Sequence, residues 1–112
     1  MMAIYKMRFM FDWCGGVCLW SMNDASKERF GHYPIETDQI DVSDELRKEL
    51  ERLIYWHDEA LNWEDPASGL VWTQEQIDSF CDAAEAAYQR LCNELGPDYD
   101  IEYFGDNRED II

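Results

Sequence analysis

Glu75, Asp78, Asp82 and Glu85 recur at i, i+3, i+7 and i+10, and no Lys or Arg falls between Glu75 and Gln89. On a helix this spacing stacks the four carboxylates into one ridge, about 120° around from the centre of the apolar stripe of the same segment. Such a ridge is chemistry for docking Lys and Arg. It costs its own helix about 0.2–0.5 kcal/mol for each adjacent like-charged pair. The plainer reading is a solvated face whose first acids suit the helix dipole.

A second acidic group surrounds Tyr55, which projects from the polar side of an amphipathic segment beside Glu51, Asp58 and Glu59. Trp63, flanked by Glu64 and Asp65, extends this patch into the following loop. An amphipathic aromatic among carboxylates is suited to anchor a basic partner, since Tyr is enriched at the energetic centres of interfaces. Its bland counterpart is one exposed Tyr. Glu36, Asp38, Asp41, Asp44 and Glu45 form a further acidic run, partly offset by Arg47, Lys48 and Arg52.

Catalytic and metal-binding patterns are thinner. His57 falls within an apolar stripe, where a satisfied core histidine is the commoner outcome. His32 lies in a loop before Pro34, but no Ser, Cys or Asp is locally arranged with either His as a nucleophile, and no Gly-rich phosphate loop precedes a helix. Cys14 and Cys18 have a zinc-compatible spacer, yet a hairpin turn between them points them to opposite faces. Cys81 and Cys92 read as small core thiols on one side of a helix. Asp98, Asp100, Glu102, Asp106 and Glu109 match calcium-loop positions, but Tyr103 stands where a sharp-turning Gly is needed. No cofactor is expected.

The elements that position these residues follow from periodicity. Tyr5, Met7, Phe9, Phe11 and Trp13 alternate with polar residues, the pattern of a half-buried strand. A two-residue Gly15-Gly16 loop sets Trp13 opposite Cys18 and Phe11 opposite Trp20, which brings Cys18, Trp20 and Met22 onto the apolar face. Lys6, Arg8, Met10, Asp12, Cys14, Val17, Leu19 and Ser21 are then left on the other face. Asn23 or Asp24 caps a short helix through Phe30, stopped by Gly31, and an irregular acidic connection follows.

Ser43 caps a helix whose stripe is Leu46, Leu50, Leu53, Ile54, His57 and Leu61, ending near Asn62. Thr73 and Gln76 form a capping box for another, with Ile77, Phe80, Cys81, Ala84, Tyr88, Leu91 and Leu95 inward and Gly96-Pro97 as its stop. Tyr99, Ile101 and Tyr103 alternate as a third strand. The expectation is a single α+β domain over 1–112, frayed from about 105. A small antiparallel sheet, the N-terminal hairpin plus the C-terminal strand, packs on two main helices in the order ββ(α)ααβ.

The whole chain is acidic: 25 Asp and Glu against 9 Lys and Arg in 112 residues give a formal net charge of −16. Its 14% aromatic content argues against an acidic disordered segment. A field of this sign repels nucleic acid and anionic lipid and speeds encounter with a basic protein. With no secretory signal pattern at Met1 to Lys6 and no membrane-length apolar run, the expectation is a cytoplasmic protein with reduced cysteines.

Cys18-Leu19-Trp20-Ser21, Arg29-Phe30-Gly31-His32-Tyr33-Pro34, Trp63-Glu64-Asp65-Pro66 and Glu94-Leu95-Gly96-Pro97 resemble stretches of small acidic bacterial proteins. In size and charge the chain is also similar to immunity proteins that neutralise basic bacterial toxins. That resemblance implies a non-enzymatic inhibitor covering the cationic substrate site of a cognate toxin such as a nuclease. Two alternatives are a DNA mimic, of the anti-CRISPR type, occupying a nucleic-acid-binding protein, and a small hydrolase using His32. The sequence leaves the partner's identity, the strand order and the oligomeric state open.

Overall fold

The computed structural model describes residues 4–11, 16–31, 33–60, 64–65 and 71–103. The elements are β1 (Tyr5–Phe9), β2 (Leu19–Ser21), α1 (Asp24–Phe30), β3 (Pro34–Ile35), a 3-10 turn (Thr37–Gln39), α2 (Asp44–Asp58), α3 (Gln74–Leu95) and β4 (Tyr99–Tyr103). Each helix starts where its cap residue stands. Asn23 accepts from the Ser26 N–H, Ser43 from the Leu46 N–H, and Thr73 and Gln76 complete their reciprocal box. Gly31 ends α1 at φ 83°, a left-handed conformation that glycine adopts without steric cost. The second helix stops at Asp58, short of Asn62, because the Glu59 and Ala60 N–H groups tighten onto the Trp56 and His57 carbonyls.

The sheet has four strands in the order β3-β2-β1-β4, and it is mixed rather than antiparallel. β1 pairs antiparallel with β2 but parallel with β4. The ion pair between Arg90 and Glu45 joins the C-terminal turns of α3 to the start of α2, while Trp56 packs on Trp72 at the other end, so the two helices run antiparallel. The chain then re-enters the sheet beside the start of β1, where Asp98 O accepts from the Ile4 and Tyr5 N–H groups at 2.9 Å. The alternation of Tyr99, Ile101 and Tyr103 specifies a strand and its buried face, but not its direction. Part of the connection expected to be irregular is strand β3, paired through Leu19–Ile35 and Trp20–Pro34.

The hairpin register also differs from expectation. Phe9 lies opposite Leu19, Arg8 opposite Trp20 and Met7 opposite Ser21. The loop is therefore longer than two residues, and the odd shift exchanges the faces of β2. Leu19 and Ser21, expected outside, are buried, as is Val17, whereas Met22 is exposed. Val17, Cys18, Leu19 and Trp20 are consecutive and largely apolar, so their pattern could not select a face. Trp20 shares the side of Arg8, packs on Tyr33 and donates its indole N–H to Met10 O at 2.9 Å. Trp13 and Cys14 lie outside the described residues.

The helices cover one side of the sheet. Met7, Phe9, Leu19, Ile35 and Ile101 meet Leu46, Leu50, Leu53, Phe80, Ala84 and Leu91 in one buried cluster. Each such aliphatic or aromatic side chain contributes about 1.5–3 kcal/mol by leaving water. His57 belongs to this core, its ring stacked on Phe11 at 5.4 Å. The opposite face carries Lys6, Arg8 and Met10, with Asp100 and Glu102 beside them in register.

Candidate protein interface

The apolar stripe of α3 turns Ile77, Phe80, Cys81, Ala84, Ala87 and Leu91 inward. Glu75, Asp82 and Glu85 are consequently exposed, and Asp78 is half-buried, accepting from Gln74 Nε2 at 3.2 Å. The C-terminal part of this ridge borders an open groove of roughly 510 Å³ between α3 and β4, lined by Asp82, Glu85, Ala86, Tyr88, Gln89 and Tyr103. Its aromatic floor is built edge to face: the rings of Tyr88 and Tyr103 lie 5.0 Å apart at 70°. The Tyr88 hydroxyl donates to Ile101 O. Sequence periodicity assigned Tyr88 to the core stripe and Tyr103 to a strand face. Both are half-buried, and tyrosine's polar tip was the signal for such a boundary position.

Tyr55 is 73% exposed on α2. With Glu36, Thr37, Glu51 and Asp58 it lines a second groove of roughly 220 Å³. Glu51 is fixed there by the Thr37 hydroxyl, which donates to its Oε1 at 3.1 Å. Glu59 is exposed at the end of the helix but does not line this groove. Trp63 and His32 lie outside the described residues. The ridge and the Tyr55 patch form two surfaces whose grooves share no lining residue.

Several arginines are consumed within α2 and α3. Arg47 pairs with Asp44 at 2.8 Å and also donates to the Thr37, Ile40 and Val42 carbonyls, holding the preceding connection against the helix. Arg52 pairs with Glu49 and lies 5.1 Å from the Trp56 ring centroid. Arg90 bridges Glu45 at 3.2 Å and Glu94 at 2.8 Å. Exposed pairs of this kind contribute about 0–1 kcal/mol each. Their larger effect is on the field, because they neutralise Asp44, Glu45, Glu49 and Glu94.

Of the remaining candidates Cys18, Cys81 and His57 are buried. Cys18 and Cys81 are core thiols, and desolvation pushes the Cys18 thiol up to about 12 despite a backbone hydrogen bond. A thiol held protonated in this way is a poor nucleophile or metal ligand. Asp98 precedes β4, while Asp100 and Glu102 lie within it. The His57 ring is 1% exposed.

A family model described as Serratia CdiI immunity protein-like matches residues 5–106. The chain belongs to this family. The match spans every described strand and helix, so both acidic surfaces lie within the Serratia CdiI immunity protein-like region. Membership supports the toxin-immunity class to which size and charge also pointed. A search of curated proteins found no match. Among the described residues no helix is long and apolar enough to cross a membrane.

Proposed function

We propose that the protein is a non-enzymatic, immunity-type inhibitor that neutralises a basic cognate toxin by covering its cationic substrate site. A nuclease is the toxin class that best fits this charge, since acids on the inhibitor take places meant for phosphates. The observation that carries this reading is the exposed ridge of α3, where Glu75, Asp82 and Glu85 project without a basic residue between Glu75 and Gln89. Steering by such a field raises the association rate, while close contacts govern release.

The test begins with a basic protein retained on the immobilised chain to high salt and inhibited by it in stoichiometric amounts. Glu75→Gln, Asp78→Asn, Asp82→Asn and Glu85→Gln are then combined. Association at low salt is expected to slow by roughly tenfold or more, with a flatter salt dependence. Unchanged kinetics exclude the ridge, and a retained protein whose activity persists in the complex excludes the inhibitor role.

A further inference from the structure

Among the described residues β4 is an edge strand of the sheet. In a parallel pair, alternate residues direct both backbone groups at the neighbouring strand. The Tyr5 N–H donates to Asp98 O, and Tyr5 stands in register with Tyr99. Asp98, Asp100 and Glu102 therefore turn their backbone groups to β1, and Tyr99, Ile101 and Tyr103 turn theirs away from it. The Tyr88 hydroxyl reaching Ile101 O from α3 fits this phase and occupies one of that carbonyl's two lone pairs.

Among the described residues the groove beside this edge is lined by acids and by no Lys or Arg. Asp98, just before the strand, and Asp100 and Glu102 within it are exposed, and Asp82 and Glu85 are exposed on the helix that rims the groove. On the sheet face turned away from the helices the register sets Lys6 beside Asp100 and Arg8 beside Glu102, and Arg8 is paired with Glu102 at 3.4 Å. The groove is lined by the rings of Tyr88 and Tyr103, and tyrosine is a residue type that attracts a cation through its ring quadrupole. Backbone groups at an edge, a groove lined by tyrosines and acids on both sides together fit an extended basic segment better than a flat basic surface.

We propose that a segment of the toxin with Lys or Arg at alternate positions adds as a strand to the outer edge of β4. Its inward side chains enter the groove over Tyr88 and Tyr103, towards Asp82 and Glu85. Alternate spacing is required because only every second side chain of a strand faces one side. This assignment rests on the inhibitor reading for the source of the segment, but its physics can be tested without the toxin.

The probe is a short synthetic peptide alternating Arg with Thr, titrated into the isotopically labelled full chain. The control is a peptide of the same composition with its arginines in one block. Amide shifts at Ile101, Tyr103 and residues 82–89, with slowed exchange of the Ile101 and Tyr103 amides, are expected for the alternating peptide. Combined Asp82→Lys and Glu85→Lys, both at exposed positions, should weaken it by roughly tenfold or more while leaving the remaining spectrum unchanged. Equal binding of the two peptides, shifts centred on the Tyr55 groove, or no binding overturns strand addition. A toxin that is neutralised without protection of the Ile101 and Tyr103 amides also overturns it, and leaves the inhibitor reading standing. A chain that takes the alternating peptide at β4 but neutralises no toxin instead overturns the inhibitor reading.

Discussion

The phenol of Tyr88 donates to the backbone carbonyl of Ile101 at 2.5 Å, tying the long helix to the strand that follows it by a bond outside the turn. Tyr88→Phe keeps the ring contacts to Phe9 and Tyr103 and removes only this bond. The expected loss is about 0.5–1.5 kcal/mol, read from the denaturant midpoint. Burial, assisted by Cys92 and Asp100, pushes the phenol up to about 12. A folded pKa above the ordinary value near 10 means that the contribution is complete below about pH 10 and lost as pH rises towards 12. The gap between wild type and Tyr88→Phe should therefore narrow across that window; a gap that stays constant excludes the linkage.

Leu19 and Met22 distinguish the observed hairpin register from the two-residue turn expected of Gly15-Gly16. Leu19 is 1% exposed and pairs with Phe9 and Ile35, whereas Met22 is 37% exposed. Leu19→Ala should cost about 2–5 kcal/mol, and Met22→Ala less than about 1 kcal/mol. Thermal or denaturant unfolding of the two variants decides the matter, since the shorter turn predicts the reverse ranking.

Local signals made the helices legible: Asn23, Ser43 and the Thr73–Gln76 box each act within one turn of chain, and the stripes through Leu50 and Phe80 repeat over several turns. The sheet was less legible. Strand β3 is only Pro34–Ile35, too short to show a period, and the parallel pairing of β4 with β1 depends on where two helices return the chain. The acids of the ridge could be read as one helix face because spacing alone puts them there. The groove beside them could not, since Tyr103 and Tyr88 meet only once β4 packs under α3.

Glu94 joins the cap of α2 to the last turn of α3. Its carboxylate accepts from the Ser43 N–H at 2.6 Å, the Ser43 hydroxyl at 3.1 Å and Arg90 Nε at 2.8 Å. The Ser43 backbone N–H is the foremost cause holding this carboxyl below its ordinary value of 4.5, with Arg90 and the Ser43 hydroxyl adding to it. A depressed folded pKa gives a contribution present above pH 4.5 and lost as pH falls through the folded value. Glu94→Gln should lower the urea midpoint at neutral pH and converge with wild type below pH 4.5. Parallel midpoint curves down to strong acid would show that the charge of Glu94 is not what stabilises this junction.

Tyr55 separates contact from steering. At 73% exposed it packs little of its ring in the free protein, so Tyr55→Ala should change folding stability by no more than about 0.5 kcal/mol. If the groove that Tyr55 forms with Glu51 and Asp58 touches the toxin, the same change should speed dissociation by roughly tenfold or more and leave association nearly constant. The ridge replacements should do the opposite, because screened long-range charge acts on encounter and short-range contact acts on release. Rate constants from surface-immobilised protein, taken over a range of salt, read both effects in one experiment. Dissociation left unchanged by Tyr55→Ala removes the α2 patch from the interface and leaves the α3 side, with its groove and the edge of β4, to hold the toxin.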